Sequence, residues 1–417
     1  MFIIADIFLA FIRYMIGLSN YETFITQIFA RIVEHNILFV KIFQALSSNK
    51  HVSDEALQLF RKYTNKSDFY ERDIDYELLT EACDKYKITL DSNRPINSGM
   101  IALVFKGTLE SGQVVAIKTY RKDIAHRLKK GHQEFVFFYH LLKFMLSPFG
   151  YGEVFESISS FVDTRDYIMT QCQFKDEIYA MAEFKRELAE FVEIGTITHF
   201  EKIFVPLIYN NPGDEKYMIM EFVSGKSIFH VSENEKQIIA ETLLTLGIAQ
   251  LSLFNINHTD LHPGNMMYTN DGNLAIFDFG MYVKMTPKIK GSFMEFMRIE
   301  SITATKKDYI ETFILWLEPI PDLSKYTEKQ INDLNIICQF YIKKVLTGHL
   351  DERDVNEFKR KVDGCLPGLF AEHRLDIEII KIILSNTMCN STVYSLVDDA
   401  GPLLIKVKNR LCKEIFS

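Results

Sequence analysis

The sequence predicts a two-lobed α+β fold with an N-terminal helical extension and a mostly helical C-terminal lobe. At 417 residues the chain is too long for one small hydrophobic core. Strand-like runs are concentrated between about residue 93 and residue 225, and the flanking segments show helical periodicity. Strands followed by helices are typical of α+β proteins. We therefore expect three segments: an extension at 1–92, a first lobe at 93–225 and a second lobe at 226–417.

The composition is that of an ordinary globular protein, with 47% hydrophobic and 24% charged residues. There are 47 basic and 55 acidic residues, which give a net charge of -8. This balance argues against nucleic acid as a partner, because nucleic-acid binders usually present a basic face. The six cysteines are scattered and none has the spacing of a zinc site. They indicate reduced thiols in an intracellular, reducing compartment.

The first eighteen residues, "MFIIADIFLAFIRYMIGL", are apolar except for Asp6 and Arg13. Each of these charges would cost about 2.5–3.5 kcal/mol at the centre of a bilayer. No small-residue cleavage site follows, and an Arg-rich, acid-poor leader is missing. Three interpretations stay open: a helix packed on the protein, a helix on a membrane surface, and a spanning anchor.

The extension reads as helices, with a capping box at Ser19 and Glu22 and a second N-cap at Ser53. Two strands are predicted at Ile101–Leu109 and Gln113–Tyr120, joined by a turn that contains Gly112. A helical insertion follows at about 122–205. The stretch "KYMIMEFVSGKSI" then predicts another strand, and the chain is mostly helical from residue 233.

Three motifs carry groups that suit phosphoryl transfer. "VVAIK" places Lys118 late on a strand, "HTDLHPGN" contains Asp260 and Asn265, and "FDFG" contains Asp278. The spacing H-x-D-x-x-x-x-N followed by D-F-G, with a lysine upstream, is the chain order of a protein kinase. Phosphoryl transfer needs a cation on the phosphates, a carboxylate at the acceptor and oxygen ligands for Mg²⁺. We expect Lys118, Asp260 and the pair Asn265 and Asp278 to fill these roles; Lys118 alone would read as a surface lysine.

The motifs resemble those of the UbiB-type atypical kinases, also called AarF-domain kinases. "HTDLHPGN…DFGM" is close to that family's H-x-D-P-H-P-G-N…D-F-G-M, and "PINSGMIALVF" resembles its alanine-rich nucleotide loop. "IMEFVSGKSI" resembles its hinge strand, and "FVKIFQALSS" resembles its K-x-G-Q signature. The resemblance runs from about residue 30 to residue 320. It implies a protein kinase-like fold that binds ATP and Mg²⁺.

The resemblance also implies further site residues. Lys41 and Gln44 would reach toward the catalytic cleft in a regulatory role, unless both are surface residues of an amphipathic helix. The candidate ATP-binding residues are Asn97, Ser98, Gly99, Met100, Ile101, Ala102, Val104, Ala116, Lys118, Glu221 and Val223.

The sequence departs from the family pattern at several positions. Phe43 replaces the glycine of K-x-G-Q. Gly99 is the only glycine kept from the kinase pattern G-x-G-x-x-G-x-V, so we expect a loop more like that of ordinary kinases. In the acidic E-x-D motif, Met181 replaces the first acid and Glu183 matches the second. Glu187 then fits the catalytic carboxylate partner of Lys118, with Glu183 as the alternative.

Two further departures concern substrate handling. His262 occupies the place where Ser/Thr kinases carry a lysine that meets the γ-phosphate, so it either substitutes for that lysine or packs the loop. No A-P-E segment follows D-F-G, so a conventional peptide-docking activation segment is not expected.

The resemblance implies a magnesium-dependent kinase or ATPase connected with isoprenoid-quinone or other lipid metabolism. The acceptor is unknown and could be a lipid, a small molecule or a protein, with a membrane surface as a further partner. One alternative is a small-molecule kinase of the aminoglycoside or choline type, against which "DFGM" and the K-x-x-Q helices argue. The other is a nucleotide-binding pseudokinase, which the altered acidic motif and Phe43 would fit.

Overall fold

The structure, a computed structural model, describes residues 69–146, 173–211, 213–300, 309–347, 352–398 and 400–416, together with some residues between 13 and 36. The predicted N-cap at Ser53, the capping-box partner Glu22 and the candidate regulatory residues Lys41 and Gln44 lie outside the described residues.

The chain divides into two compact units, in agreement with a two-lobed α+β fold. The first comprises Met1–Lys175 and Ile208–Phe222, and the second comprises Asp176–Leu207 and Val223–Ser417. This division differs from the expected boundary near residue 225, because residues 176–207 cluster with the C-terminal unit.

The first unit is built on an antiparallel sheet with the strand order β1-β3-β4-β6, in which β2 also pairs with β3. Its strands are β1 (Ile88–Leu90), β2 (Asn97–Ser98), β3 (Ala102–Leu109), β4 (Val114–Tyr120) and β6 (Tyr217–Glu221). Its helices are α1 (Tyr76–Tyr86) and α2 (Ile124–Leu146).

The predicted hairpin of the first unit is confirmed. β3 and β4 pair from Ala102 opposite Tyr120 to Thr108 opposite Val114. At the turn, Leu109 N donates to Gln113 O at 2.9 Å, and Gly112 has a φ of 84°. This left-handed conformation favours glycine, which explains why the turn signal in the sequence was reliable.

One face of this sheet packs against α1. The core of this cluster is made by buried side chains of the helix and of four strands: Leu79, Ala82, Ile88, Leu103, Phe105, Val115, Ile117, Tyr217 and Ile219. The extension is attached to the same unit through the buried Asn36, whose Nδ2 donates to Gly131 O of α2 at 2.9 Å.

The second unit is mostly helical, as the sequence predicted from residue 233 onward. Its helices are α3 (Phe174–Ile194, which begins two residues before the unit boundary), α4 (Glu233–Ala249), α5 (Pro287–Glu300), α6 (Ile310–Leu315), α7 (Glu328–Thr347), α8 (Glu352–Cys365), α9 (Leu369–Glu372), α10 (Ile377–Leu396) and α11 (Ala400–Phe416). α4 begins with a capping box, in which Ser232 and Glu235 satisfy each other's backbone amides.

Three small sheets complete the second unit, with the strand orders β5-β10-β9-β7, β11-β8 and β12-β13. Their strands are β5 (Ile203–Phe204), β7 (Gly225–Lys226), β8 (Ile256–His258), β9 (Met266–Thr269), β10 (Leu274–Ile276), β11 (Tyr282–Lys284), β12 (Leu317–Glu318) and β13 (Arg374–Leu375). None of the helices in the described part of the chain has the length and hydropathy of a membrane span.

Candidate active site

Two loops of the second unit are brought side by side by strand pairing. The first loop, residues 259–265, lies between β8 and β9, and the second, residues 277–281, lies between β10 and β11. β8 pairs with β11 and β9 pairs with β10, so both ends of one loop are tied to both ends of the other. Two backbone hydrogen bonds extend these ladders, from Thr259 N to Met281 O and from Phe277 N to Asn265 O, both at 3.1 Å. The sequence motifs H-x-D-x-x-x-x-N and D-F-G therefore meet in space.

Asp278 has a left-handed backbone conformation, with a φ of 66°. Aspartate adopts this conformation more readily than most residues other than glycine and asparagine, and residues held in it are concentrated at functional sites. Its Oδ1 accepts a hydrogen bond from Gly280 N at 3.4 Å, which places the carboxylate over its own loop. The side chain is half-buried.

Asn265 and Asp260 are in direct contact. Asn265 Nδ2 donates to Asp260 O at 3.0 Å and to Asp260 Oδ2 at 3.2 Å. Asn265 is buried and Asp260 is half-buried. Because the amide nitrogen is held by Asp260, the amide oxygen of Asn265 is directed away from it. The structure thus brings together Asp260 and Asn265 by side-chain contact, and Asn265 and Asp278 through the loop pairing.

His258 anchors the first loop inside the unit. Its Nδ1 accepts from Asp260 N at 3.1 Å, and its ring meets Phe279 edge to face with 4.6 Å between centroids. Complete burial lowers the pKa of the imidazole below its ordinary value, so the ring is neutral. The backbone carbonyl of Phe277 partly opposes this lowering of the pKa. Nε2 nevertheless makes no well-aligned hydrogen bond to any described residue.

His262 contacts both its own loop and Asp260. Its Nδ1 accepts from Gly264 N at 2.9 Å, and its Nε2 lies 3.7 Å from Asp260 Oδ2. One ring nitrogen is therefore used inside the loop, in agreement with the interpretation of His262 as a loop-packing residue. The other nitrogen faces the carboxylate at the acceptor position, and the ring is 30% exposed.

The backbone of the first loop is also held by α10, in a part of the chain for which the sequence suggested no role. Ser385 Oγ donates to His258 O at 3.1 Å, and Thr392 Oγ1 lies 3.5 Å from Leu261 O. Gln250, just after α4, bonds both the N–H and the carbonyl of His258. These hydroxyl and amide groups hold the backbone of the loop in place. Catalytic motifs in the sequence could not reveal them, because all three residues lie outside the motifs and the two hydroxyl groups lie far away along the chain.

Two glutamates of α3 make contacts inside the second unit. Both carboxylate oxygens of Glu187 accept from Asn255 N, at 3.1 and 2.9 Å. Burial raises the pKa of Glu187, and the hydrogen bond from Asn255 opposes that shift. Glu183 is paired with Arg186, which lowers the pKa of its carboxyl. Glu187 is thus engaged with a backbone amide of its own unit, and its pairing with Lys118 stays a prediction.

Glu177, which the sequence analysis missed, is the α3 glutamate near the second loop. It is buried, and a methyl group built on Gly280 would lie 3.2 Å from Asp278 Oδ1 and 3.9 Å from Glu177 Oε2. The two carboxylates therefore approach the same glycine. A sequence signal existed, because Glu177 lies in the first turn of a helix, where acids are favoured.

The candidate nucleotide residues of the first unit lie on and between β2, β3 and β4. Lys118 is opposite Val104 and Met218 in the sheet, is buried, and lies 6.0 Å from the centroid of the Phe174 ring. Ala102, Val104 and Ala116 belong to the same strands.

The predicted loop is a tight hairpin between β2 and β3. Ser98 pairs with Leu103, and Gly99 N donates to Ala102 O at 2.9 Å. Gly99 has room for a methyl group, because the nearest atom, Ala102 O, would lie 3.6 Å from it. Packing inside the fold therefore does not require glycine at this position. Of the two hinge candidates, Glu221 ends β6 in the first unit and Val223 follows in the second.

The two site loops carry oxygen donors of the kind that Mg²⁺ uses. Among the described residues, no group of three His, Cys, Asp or Glu side chains could hold a metal ion. Mg²⁺ usually takes one or two carboxylates and completes its octahedron with water and phosphate oxygens. Asp278 and the amide oxygen of Asn265 are oxygen donors of this kind.

Comparison with known proteins identifies the family of this chain. A model of the ABC1 atypical kinase-like domain matches residues 76–311. An uncharacterized Synechocystis protein is 26% identical over 317 residues, which are 69% of this chain and 50% of that protein. The Arabidopsis thaliana protein ACTIVITY OF BC1 COMPLEX KINASE 3, chloroplastic, is 29% identical over 203 residues, 46% of this chain and 26% of that protein.

Two further similarities cover different shares of the chain. An uncharacterized aarF domain-containing protein kinase, chloroplastic, from Arabidopsis thaliana is 33% identical over 93 residues, 22% of this chain and 13% of that protein. A solved structure of Rv3197 from Mycobacterium tuberculosis with erythromycin has a TM-score of 0.42 at 15% identity, over 84% of this chain and 87% of that chain. The chain spans half or less of the length of the curated relatives named here. Because the domain match covers more than half of the chain and includes both site loops, this chain belongs to the ABC1 atypical kinase-like family, the UbiB-type or AarF-domain kinases that its motifs resemble.

Proposed function

We propose that this protein is a magnesium-dependent atypical kinase or ATPase, which binds ATP and transfers or hydrolyses its γ-phosphate. The observation that carries this proposal is the pairing of the two loops, with Asp260 and Asn265 in contact and Asp278 in a left-handed conformation opposite them. Strain at a carboxylate is retained where the surroundings require that geometry.

Each residue has a role that suits its surroundings. Asn265 and Asp278 would hold Mg²⁺ through oxygen atoms, and the ion would neutralise charge on the β- and γ-phosphates. Asp260, which is half-buried and held by Asn265, would orient an acceptor hydroxyl or a water molecule. Lys118 would supply the cation for the phosphates, and Glu177 is a better candidate than Glu187 for the acidic residue that completes the site.

The hairpin of the first unit supports nucleotide binding. Among the described residues, the nearest atom to a methyl group built on Gly99 would be Ala102 O, at 3.6 Å. A residue without a side chain lets backbone amides come close to phosphate oxygens. Glu221 and Val223 would hold the base of the nucleotide as hinge residues. The acceptor would be a lipid, a small molecule or a protein, and a membrane surface would concentrate it if it is a lipid.

The proposal is tested by measuring ATP binding and phosphate release with Mg²⁺ and with EDTA, each with and without anionic liposomes. We expect magnesium-dependent binding and turnover, with faster turnover on liposomes if the acceptor or activator is a membrane. Binding without turnover would favour a pseudokinase. Rapid phosphorylation of a soluble amino-alcohol would favour the small-molecule kinase, and no binding would overturn the proposal.

Variants of the two buried glutamates of α3 distinguish an effect on catalysis from an effect on folding. We expect Glu177→Ala to lower turnover about 100-fold, the order of loss when one electrostatic group of a site is removed. Glu187→Ala should leave turnover within about twofold, and it should lower the free energy of unfolding by about 1–3 kcal/mol because Asn255 N loses its acceptor. Phosphate release and urea denaturation of both variants measure this. A loss of turnover in Glu187→Ala larger than that in Glu177→Ala would support the assignment of Glu187 made from the sequence.

A further inference from the structure

A buried ionic cluster links the extension of the first unit to the nucleotide loop. Asp73, just before α1, is fully buried and binds two arginines. Arg121 Nη1 donates to Asp73 Oδ2 at 2.6 Å, and Arg127 Nη1 donates to Asp73 Oδ1 at 2.7 Å. The side chain of Arg121 is 1% exposed, whereas that of Arg127 is 31% exposed. The Arg121–Asp73 pair is therefore a fully desolvated ion pair.

Arg121 also holds the loop itself. Its Nε donates to Gly99 O at 2.9 Å, and its backbone N–H donates to Ile101 O at 2.9 Å. The planar guanidinium thus bridges the carboxylate of Asp73 and the carbonyl of Gly99 in one rigid group. On the other side, Lys122 N donates to Asp73 O at 2.8 Å, so the end of β4 is attached to the same segment.

The contact with Gly99 sets the direction of a backbone amide. In a trans peptide the C=O and the following N–H point in opposite directions. When the carbonyl of Gly99 is fixed on Arg121, the N–H of Met100 is directed away from Arg121. An apolar pair would stabilise a core about as well as a buried ion pair, so the cluster fits a role in defining one conformation.

We propose that Arg121, held by Asp73, is a positioning residue that orients the Met100 amide for a nucleotide phosphate. This inference rests on the proposed function, because it specifies how the loop prepares to bind ATP. Arg121 does not touch the phosphate; it acts through the peptide between Gly99 and Met100.

The test compares Arg121→Lys with Arg127→Lys in the full chain. Lysine keeps the charge beside Asp73 but lacks the fork that reaches two acceptors. Arg127 is the matched control, because it binds the same carboxylate through the other oxygen, Asp73 Oδ1. We expect Arg121→Lys to raise the Kd for Mg-ATP about tenfold, the lower end of losses for groups that orient a ligand-binding atom. We expect Arg127→Lys to raise it less than about twofold.

Hydrogen–deuterium exchange without nucleotide supplies a readout that does not depend on ATP. Peptides covering residues 97–102 should exchange about tenfold faster in Arg121→Lys, because a hydrogen bond from a charged group is lost, and should be unchanged in Arg127→Lys. Equal effects of the two variants on affinity and exchange would overturn the inference and leave the proposed function standing. A wild-type protein that binds no Mg-ATP would overturn the proposed function and this inference together.

Discussion

Replacing Asp278 with Asn is expected to lower magnesium-dependent turnover about 1,000-fold, since a catalytic metal supplies several kcal/mol of transition-state stabilisation. Asparagine tolerates a left-handed backbone at least as well as aspartate, so the φ of 66° is not a new source of strain. Its side-chain oxygen also keeps the acceptor for Gly280 N. The substitution therefore removes the negative charge and little else, and phosphate release over a range of Mg²⁺ concentrations measures its effect.

Asp271→Asn is the matched control for this experiment. Asp271 is exposed in the turn between β9 and β10, and its strands lead directly into the two site loops. It should leave turnover and its magnesium dependence unchanged. If Asp278→Asn retained more than about a tenth of the wild-type rate, the assignment of Asp278 as a metal ligand would be wrong.

Local pattern predicted the parts of the fold whose cause is local. The β3–β4 hairpin follows from alternating apolar residues and a glycine turn, and it is confirmed to within one residue at each strand start. The spacing of Asp260, Asn265 and Asp278 implied that they meet, and two strand ladders bring their loops together.

Long-range contacts could not be predicted in this way. α3 carries several acids, and which of them meets the second loop depends on how the helix packs. The sequence offered Glu187 and Glu183 as partners of Lys118, but it gave no indication that Glu177 lies beside Gly280. Likewise, Ser385 reaches His258 O from 127 residues away, and Arg121 reaches Asp73 across 48 residues. No periodicity connects residues at such separations.

A substitution in the aromatic core of the second unit is expected to lower the stability of the protein strongly. Phe254 is fully buried, stacks on Phe184 at 4.7 Å between centroids, and contacts Phe191 and Phe200 at 5.1 and 5.6 Å. Phe254→Ala would remove the central ring and leave a cavity. We expect the free energy of unfolding to fall by about 3–5 kcal/mol, as measured by urea denaturation.

The same substitution should also lower turnover, because the aromatic core contacts the candidate active site. The ring of Phe184 lies 5.2 Å from that of Phe279 in the second loop, measured between centroids, and Phe279 packs on His258, the last residue of β8 before the first loop. A loosened Phe184 would let both loops shift, and turnover should fall at temperatures where the variant is still folded. Phe229→Ala is the control, because Phe229 is 40% exposed and should change stability by less than about 0.5 kcal/mol. A loss below about 1 kcal/mol for Phe254→Ala would mean that the cluster repacks around the cavity and does not depend on its central ring.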